Sequence, residues 1–244
     1  MKNKKIKTAL IVFIIILTLV LFFNVAVYAA YTLAATDVSY TKPNGTQTSV
    51  KAALDEVYAK VPKHQIGDEV TVGGEQFYVL EWDNNCDTVN LISKYNLNKE
   101  GTAQQDAKYG TTACAFSSKN YWSSRFTSSP FNLNDFIGYT ATDAIGKAKS
   151  YGRSKGAVSS RLLSHEEANA LISKASSNTK INTMLWGMAN SADGYLYYWL
   201  GSANNTYDVW GVIGSFYSLS GRYFSNSSGY GVRPVITVLK SKIS

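Results

Sequence analysis

The stretch His165-Glu166-Glu167-Ala168-Asn169 comes nearest to metal chemistry. A zinc-protease helix carries histidines at i and i+4, so that both imidazoles face one ion. Here the second position is Asn169, and the chain's other histidine is His64. Two histidines and two cysteines offer no transition-metal set. Glu166 and Glu167 read instead as acids of a first helical turn, favoured there by the helix dipole. Ser164, three residues before Glu167, completes a capping box. Other reactive patterns are missing too. No G-x-S-x-G elbow and no G-x-x-x-x-G-K-[ST] phosphate loop occurs. A glycosidase needs two facing carboxylates, and Glu75, Glu81, Asp83, Asp135 and Asp143 are scattered without a spacing that pairs them. These residues predict a non-catalytic chain with no cofactor and no metal.

The residues whose types could bind are concentrated near the C-terminus. Segments YWLGSA, YDVWGV and GVRPVITVL read as core strands, with Trp199, Leu200, Val209, Val212, Ile213, Val232, Val235, Ile236 and Val238 inside. The stretch that they bracket is crowded with Tyr, Asn, Ser and Gly. Tyr supplies large rigid contacts, while Asn, Ser and Gly supply adaptable hydrogen bonds, a mixture that binding loops favour. The bland alternative is that Tyr belongs on strands and Asn-Gly-Ser in turns. On the binding view the surface comprises Trp199, Asn204, Asn205, Tyr207, Asp208, Trp210, Tyr217, Tyr223, Asn226 and Tyr230, and at least four of its rings share one exposed face. Trp199 thus stands in both sets. Arg233, beside Pro234, reads as structural.

Composition limits the partners. The net charge is +7, from 24 Lys and Arg against 17 Asp and Glu. Lys2, Lys4, Lys5 and Lys7 all precede the first apolar run, which leaves a nearly balanced remainder with no basic stripe to track phosphates. Nucleic acid is therefore excluded as a partner. Those lysines and the run ALIVFIIILTLVLFF predict a secretory signal peptide or, uncleaved, a membrane anchor over residues 9–30. Either places everything after residue 30 outside the cell. In that compartment Cys86 and Cys114 are expected to form a disulfide, stabilising the fold by about 3–4 kcal/mol.

The elements that must position these residues follow from periodicity. Residues 31–63 read as a stalk and an amphipathic helix over 48–60, with Val50, Ala53, Leu54, Val57 and Tyr58 in one stripe. EVTV and EQFYVLEW form a hairpin about Gly73-Gly74, and TVNLIS a third strand. Residues 94–135 are irregular. Helices are predicted over 142–152 and 164–175, followed by the C-terminal strands. The class is α+β, with residues 1–30 as leader, 31–63 as stalk and helix, and 64–244 as one domain.

The pieces SVKAALDEVY, VNLISKYNLN, CAFSSKNYWSS, RLLSHEEANALI and YWLGSAN…GVRPVITV, which cover most of residues 46–239, resemble an uncharacterised surface-protein family of Gram-positive gut bacteria. YWLGSA, VWGV and GVRPVITV resemble the C-terminal signature of C-type-lectin-like domains, in the branch of formylglycine-generating enzymes and sulfatase-modifying factors. The resemblance implies a C-type-lectin-like α+β domain behind the N-terminal membrane segment and short helix. That domain would hold two helices, a twisted antiparallel sheet whose first and last strands pair, and a long loop region presenting the ligand surface. It implies no catalysis, since the reactive cysteine pair of formylglycine-generating enzymes lies near the C-terminal end and no Cys follows Cys114. The Glu-Pro-Asn, Gln-Pro-Asp and Trp-Asn-Asp motifs of calcium-dependent sugar binders are absent as well. The expectation is a binding or adhesion module on the outer face of the cell membrane or in the cell wall, with a glycan or a host, phage or bacterial surface protein as partner. A pilin-like structural subunit and a receptor-binding protein diversified by a retroelement over residues 204–230 are the alternatives.

Overall fold

A computed structural model of the chain describes residues 38–41, 43–54, 63–106, 112–187, 197–226 and 230–244. It divides into two compact units, 1–61 and 62–244. In the first, β1 (Ser39–Thr41) and β2 (Gln47–Ser49) form an antiparallel hairpin. Its turn contains Gly45 at φ 85°. A helical turn follows at residues 50–54, and Ser49 Oγ caps it by accepting the Ala52 N–H at 3.1 Å. Part of the expected stalk is thus a hairpin. The rest of the amphipathic helix, and the leader over residues 1–30, lie outside the described residues.

The second unit begins with β3 (Glu69–Val72), β4 (Glu75–Glu81) and β5 (Thr88–Ser93). Gly73 and Gly74, at φ 56° and 80°, make the β3–β4 turn. Two consecutive positive φ values are what the right-handed twist of a tight hairpin requires. β6 (Phe131–Asn132), α1 (Ala144–Ser154), β7 (Ser159–Leu162), α2 (His165–Ala175) and α3 (Thr179–Trp186) come next. β8 (Tyr197–Ala203), β9 (Asp208–Ile213), β10 (Ser218–Tyr223), β11 (Tyr230–Gly231) and β12 (Pro234–Leu239) close the unit. One sheet has the order β3-β4-β5-β12-β7; the other runs β10-β9-β8-β11, with β6 beside β8.

The central strands of both sheets are covered on both faces. In β4, Phe77 and Val79 point into one apolar cluster while Tyr78 and Leu80 point into a second. In β8, Trp199 joins the first cluster and its neighbours Tyr198 and Leu200 the second. Helix α1 covers the first cluster through Ala144, Ile145, Ala148 and Tyr151; α2 and α3 cover the second through Leu171, Ile181, Met184 and Leu185. Two buried faces explain why β4 and β12 read as nearly continuous apolar runs instead of alternating ones.

The expected fold is corrected here. The described residues of the second unit hold two five-stranded sheets and three α-helices, against one sheet and two helices. Helix α3 escaped notice because TKINTMLW is only two turns long and follows a Ser- and Asn-rich stretch. β11 runs parallel to β8. The last strand, β12, lies between β5 and β7, and only the terminal Ser244 reaches β3, exchanging backbone hydrogen bonds with Thr71. No helix of the described residues is long and apolar enough to cross a membrane, and the expected membrane segment over residues 9–30 lies outside them.

Cys86 and Cys114 are free, so the expected disulfide is absent. Cys86 sits on the exposed β4–β5 turn, its thiol 3.3 Å from an Asp83 carboxylate oxygen, while Cys114 packs against the first apolar cluster. The long loop is held instead by Phe116, Trp122 and Leu133, all fully buried. Burying a ring of this size stabilises by about 2–3 kcal/mol, which supplies the anchorage expected of the bridge.

Candidate functional site

Seven of the ten candidate residues gather at one end of the β8–β9–β10 ribbon: Asn204, Asn205, Tyr207, Asp208, Trp210, Tyr223 and Asn226. The β8–β9 turn is built on Asn205. Its Oδ1 accepts the N–H groups of Tyr207 (2.7 Å) and Asp208 (2.8 Å), and its Nδ2 donates to Asp208 Oδ2 at 2.7 Å. Asn is suited to this role because its short amide can stand in for a backbone turn. The turn is clamped from below by the long loop. Fully buried Trp122 donates Nε1–H to the Asn205 carbonyl at 3.0 Å, and Asn120 donates to the Thr206 carbonyl.

On this frame the Tyr207 and Tyr223 rings stack at 6.1 Å and 16°. They are 55% and 50% exposed. Tyr223 in turn stacks on Phe224 at 4.8 Å, and Phe224 meets Trp122 edge-on at 5.7 Å. The exposed pair is therefore the outer end of an aromatic column rooted in the core. Strand register sets what lies beside it. Tyr223 pairs with Asp208 and Gly221 with Trp210, so Asp208, Trp210 and Tyr223 share one face. A Cβ at Gly221 would lie 2.3 Å from Asn204 Nδ2, so the glycine lets the Asn204 amide lie flat on the strand beside Trp210. Ser129 joins the two, donating to Asn204 Oδ1 at 3.5 Å and accepting Trp210 Nε1–H at 3.2 Å.

His165 belongs here too. Its backbone N–H donates to Ser202 Oγ at 3.1 Å, and its ring lies over Trp210 at 4.5 Å and 37°. Burial against the indole pushes its pKa down. His165 was not among the candidate residues, since its metal-like pattern was set aside. Asn120, Trp122 and Ser129 were missed; the aromatic pair Tyr121-Trp122 in the irregular stretch was a signal for them.

The other three candidates do not join this surface, a correction to the ten-residue set. Trp199 and Tyr230 are buried, stacked on each other at 4.4 Å. Trp199 Nε1 donates to the Cys114 carbonyl at 2.8 Å. Tyr217 is 62% exposed but sits at the far end of the ribbon, its ring 5.6 Å from Trp186. Six residue steps at roughly 3.3 Å each separate it from Tyr223. Three rings therefore share the surface, two exposed and one half-buried, short of the four that the binding view requires, which counts towards the structural-subunit alternative.

Arg233 is fully buried, and no carboxylate pairs with it among the described residues. Its Nε donates to the Ser93 carbonyl and its Nη1 to the Met184 carbonyl, both at 2.7 Å, and the guanidinium lies 5.0 Å from the Tyr198 ring centre. Met184 is in the last turn of α3, where unpaired carbonyls carry partial negative charge. The cation thus fastens the end of α3 to the end of β5.

The carboxylates are engaged elsewhere. A cleft of about 460 Å³ is lined by His64, Asp68, Glu69, Tyr78, Thr179 and Lys180. There Lys180 pairs with Asp68 at 2.5 Å and Lys94 with Glu69 at 2.8 Å. Near Glu81 and Asp83, the Asp83 carboxylate pushes the Cys86 thiol up, away from the thiolate a nucleophile needs. No family model, curated protein or solved structure matches the chain.

Proposed function

We propose that the chain is a non-catalytic binding module that works outside the cell and takes a glycan at the β8–β9 end of the ribbon. The observation that carries this is the Tyr207–Tyr223 stack: two half-exposed rings held by the Asn205 turn, the Trp122 clamp and the Phe224 column. Rings fixed before a ligand arrives lose little entropy on binding. Their flat faces suit the C–H faces of sugar rings, and the Asn204 amide and Ser129 hydroxyl beside them suit sugar hydroxyls. Asp208, the one acid of the cluster, already accepts from Asn205, which favours a neutral ligand. The lysine-flanked apolar leader supports export, and the resemblance to surface proteins with C-type-lectin-like domains supports the same setting.

The test is binding of the full chain to a glycan array. A defined set of neutral glycans is expected to retain it, with retention lost in the double variant Tyr207→Ala, Tyr223→Ala and kept in Val158→Ala, an exposed apolar change elsewhere. Equal retention by the double variant, or no glycan retained at all, rejects the proposal.

A further inference from the structure

The edges of the two sheets are treated unequally. Strand β3 is closed by Ser244, which exchanges N–H···O=C bonds with Thr71 at 3.0 and 3.1 Å. Strand β7 is closed by the buried Asn134, whose side chain accepts the Leu162 N–H at 2.9 Å and donates to the Leu162 carbonyl at 3.1 Å. At β11, the Tyr230 carbonyl accepts from Cys114 at 2.8 Å. Strand β10 pairs with β9 alone. From Ser218 to Arg222 its outward backbone groups have no other backbone partner among the described residues.

Soluble proteins blunt such an edge with lysine, proline, a bulge or a cover. The sequence SLSGRY has neither lysine nor proline, Arg222 is its one charge, and its pairing with β9 is continuous over six residues without a bulge. Its ends carry exposed rings. Phe216 (69% exposed) and Tyr217 (62%) precede it, and Tyr223 (50%) closes it. Tyr217 holds φ 49° and ψ 42°, a left-handed conformation that a bulky side chain adopts rarely. The hairpin therefore keeps the Tyr217 ring where a glycine or asparagine would fit the backbone better.

We propose that β10 is a dimerisation edge, pairing antiparallel with β10 of a second copy about a two-fold axis near Ser220 and Gly221. A two-fold interface must be self-complementary, and this strand is so by sequence. Reversal sets the Phe216–Tyr217 end of one copy beside the Tyr223 end of the other, twice. The polar middle, Ser218, Ser220 and Gly221, allows close backbone approach. Each Tyr207–Tyr223 shelf then gains the rings of the partner's Phe216 and Tyr217, which lie too far away within one chain. The two shelves sit on one continuous sheet, so a ligand with repeated units engages both.

The experiment is sedimentation of the full chain over a concentration series, which needs no ligand and so fails independently of the glycan proposal. The chain is expected to sediment as a dimer. Ser220→Lys, which sets like charges against each other across the axis, is expected to raise the dissociation constant at least about tenfold. A second measurement covers the case in which that variant folds poorly. In a Cys86→Ser background, Ser220→Cys is expected to link two copies on mild oxidation about tenfold faster than Val158→Cys, as residues near a two-fold axis should. A chain monomeric throughout, a dimer unmoved by Ser220→Lys in a folded variant, or equal linking of the two cysteine variants overturns the proposal.

Discussion

Two aromatic stacks built from one short stretch meet opposite fates. Trp199 and Tyr230 stack at 4.4 Å in the core, whereas Tyr207 and Tyr223 stack at 6.1 Å with half their surface in water. Residue type does not separate them; strand parity and the neighbouring glycines do. Trp199 pairs with Gly211, and a Cβ at Gly211 would lie 2.2 Å from Tyr230 Cε1, so that glycine makes the slot in which Tyr230 lies. On the next strand Gly221 gives its space to an amide, Asn204, and not to a ring. One glycine lets the core close and the other shapes a surface.

The comparison breaks most visibly if the inner stack is removed. Trp199→Ala should cost about 3–5 kcal/mol, as other buried large-to-small changes do. It also strands the Cys114 carbonyl that Trp199 Nε1 serves. Urea unfolding followed by circular dichroism measures this. Gly211→Ala attacks the same slot from the other side and should cost about 1–3 kcal/mol by overpacking. A loss under about 0.5 kcal/mol in either variant would show that Tyr230 does not depend on that space.

Arg233→Met should come next, at about 1–3 kcal/mol, because the Ser93 and Met184 carbonyls lose their donor in the interior. Removing an unpaired buried charge offsets part of the loss. The same unfolding experiment gives its size, and hydrogen exchange should place the weakening at the end of α3.

How much of this was legible follows from the same physics. The β3–β4 hairpin was, because Gly73-Gly74 announces its turn locally. So was the start of α2, where Ser164 Oγ accepts from Glu167 N at 3.1 Å and Glu167 accepts from Ser164 N at 2.9 Å. The structural role of Arg233 was legible too, although its partners are backbone carbonyls, which no sequence pattern marks. Division into two sheets was not legible, since strands buried on both faces lose the alternation that shows which way they point. Neither was the burial of Tyr230, whose Gly- and Ser-rich company reads as a turn while β8 lies parallel beside it. For the site, Asn205 and Tyr207 were found by composition. Asn120, Trp122 and Ser129 were not, because the contacts that make them matter span 75 to 86 residues of sequence.

Acid should weaken the frame more gently. Burial alone would raise the carboxyls of Glu75 and Glu167. Hydrogen bonds from Lys155, Tyr151 and Gln104 on the first, and from Arg161 and Ser164 on the second, outweigh it and hold both below the ordinary Glu value. A depressed folded pKa gives stability that is complete above the unfolded value, about 4.3 for Glu, and is lost as pH falls through the folded value. The melting temperature should fall slightly from about pH 7 to 5, where the unfolded chain protonates His165 before the folded one does, and decline further below about pH 4. The double variant Glu75→Gln, Glu167→Gln should show a shallower acid decline; an unchanged one would place the acid sensitivity elsewhere.

The outer stack should give the smallest stability change and the largest change in binding. Tyr207→Ala and Tyr223→Ala remove half-exposed rings whose loss opens no cavity, so each should shift stability by no more than about 0.5 kcal/mol. On the glycan proposal each should weaken binding by about 1–2 kcal/mol, roughly tenfold. The two effects should not add, because each ring braces the other and removing one frees its neighbour to rotate. Titration calorimetry of both single variants and the double variant against a retained glycan separates these terms. A double variant that loses the sum of the two single losses would mean the rings act independently, and the Phe224 column alone would then fix Tyr223. A loss smaller than that sum would show that the pair works as one shelf.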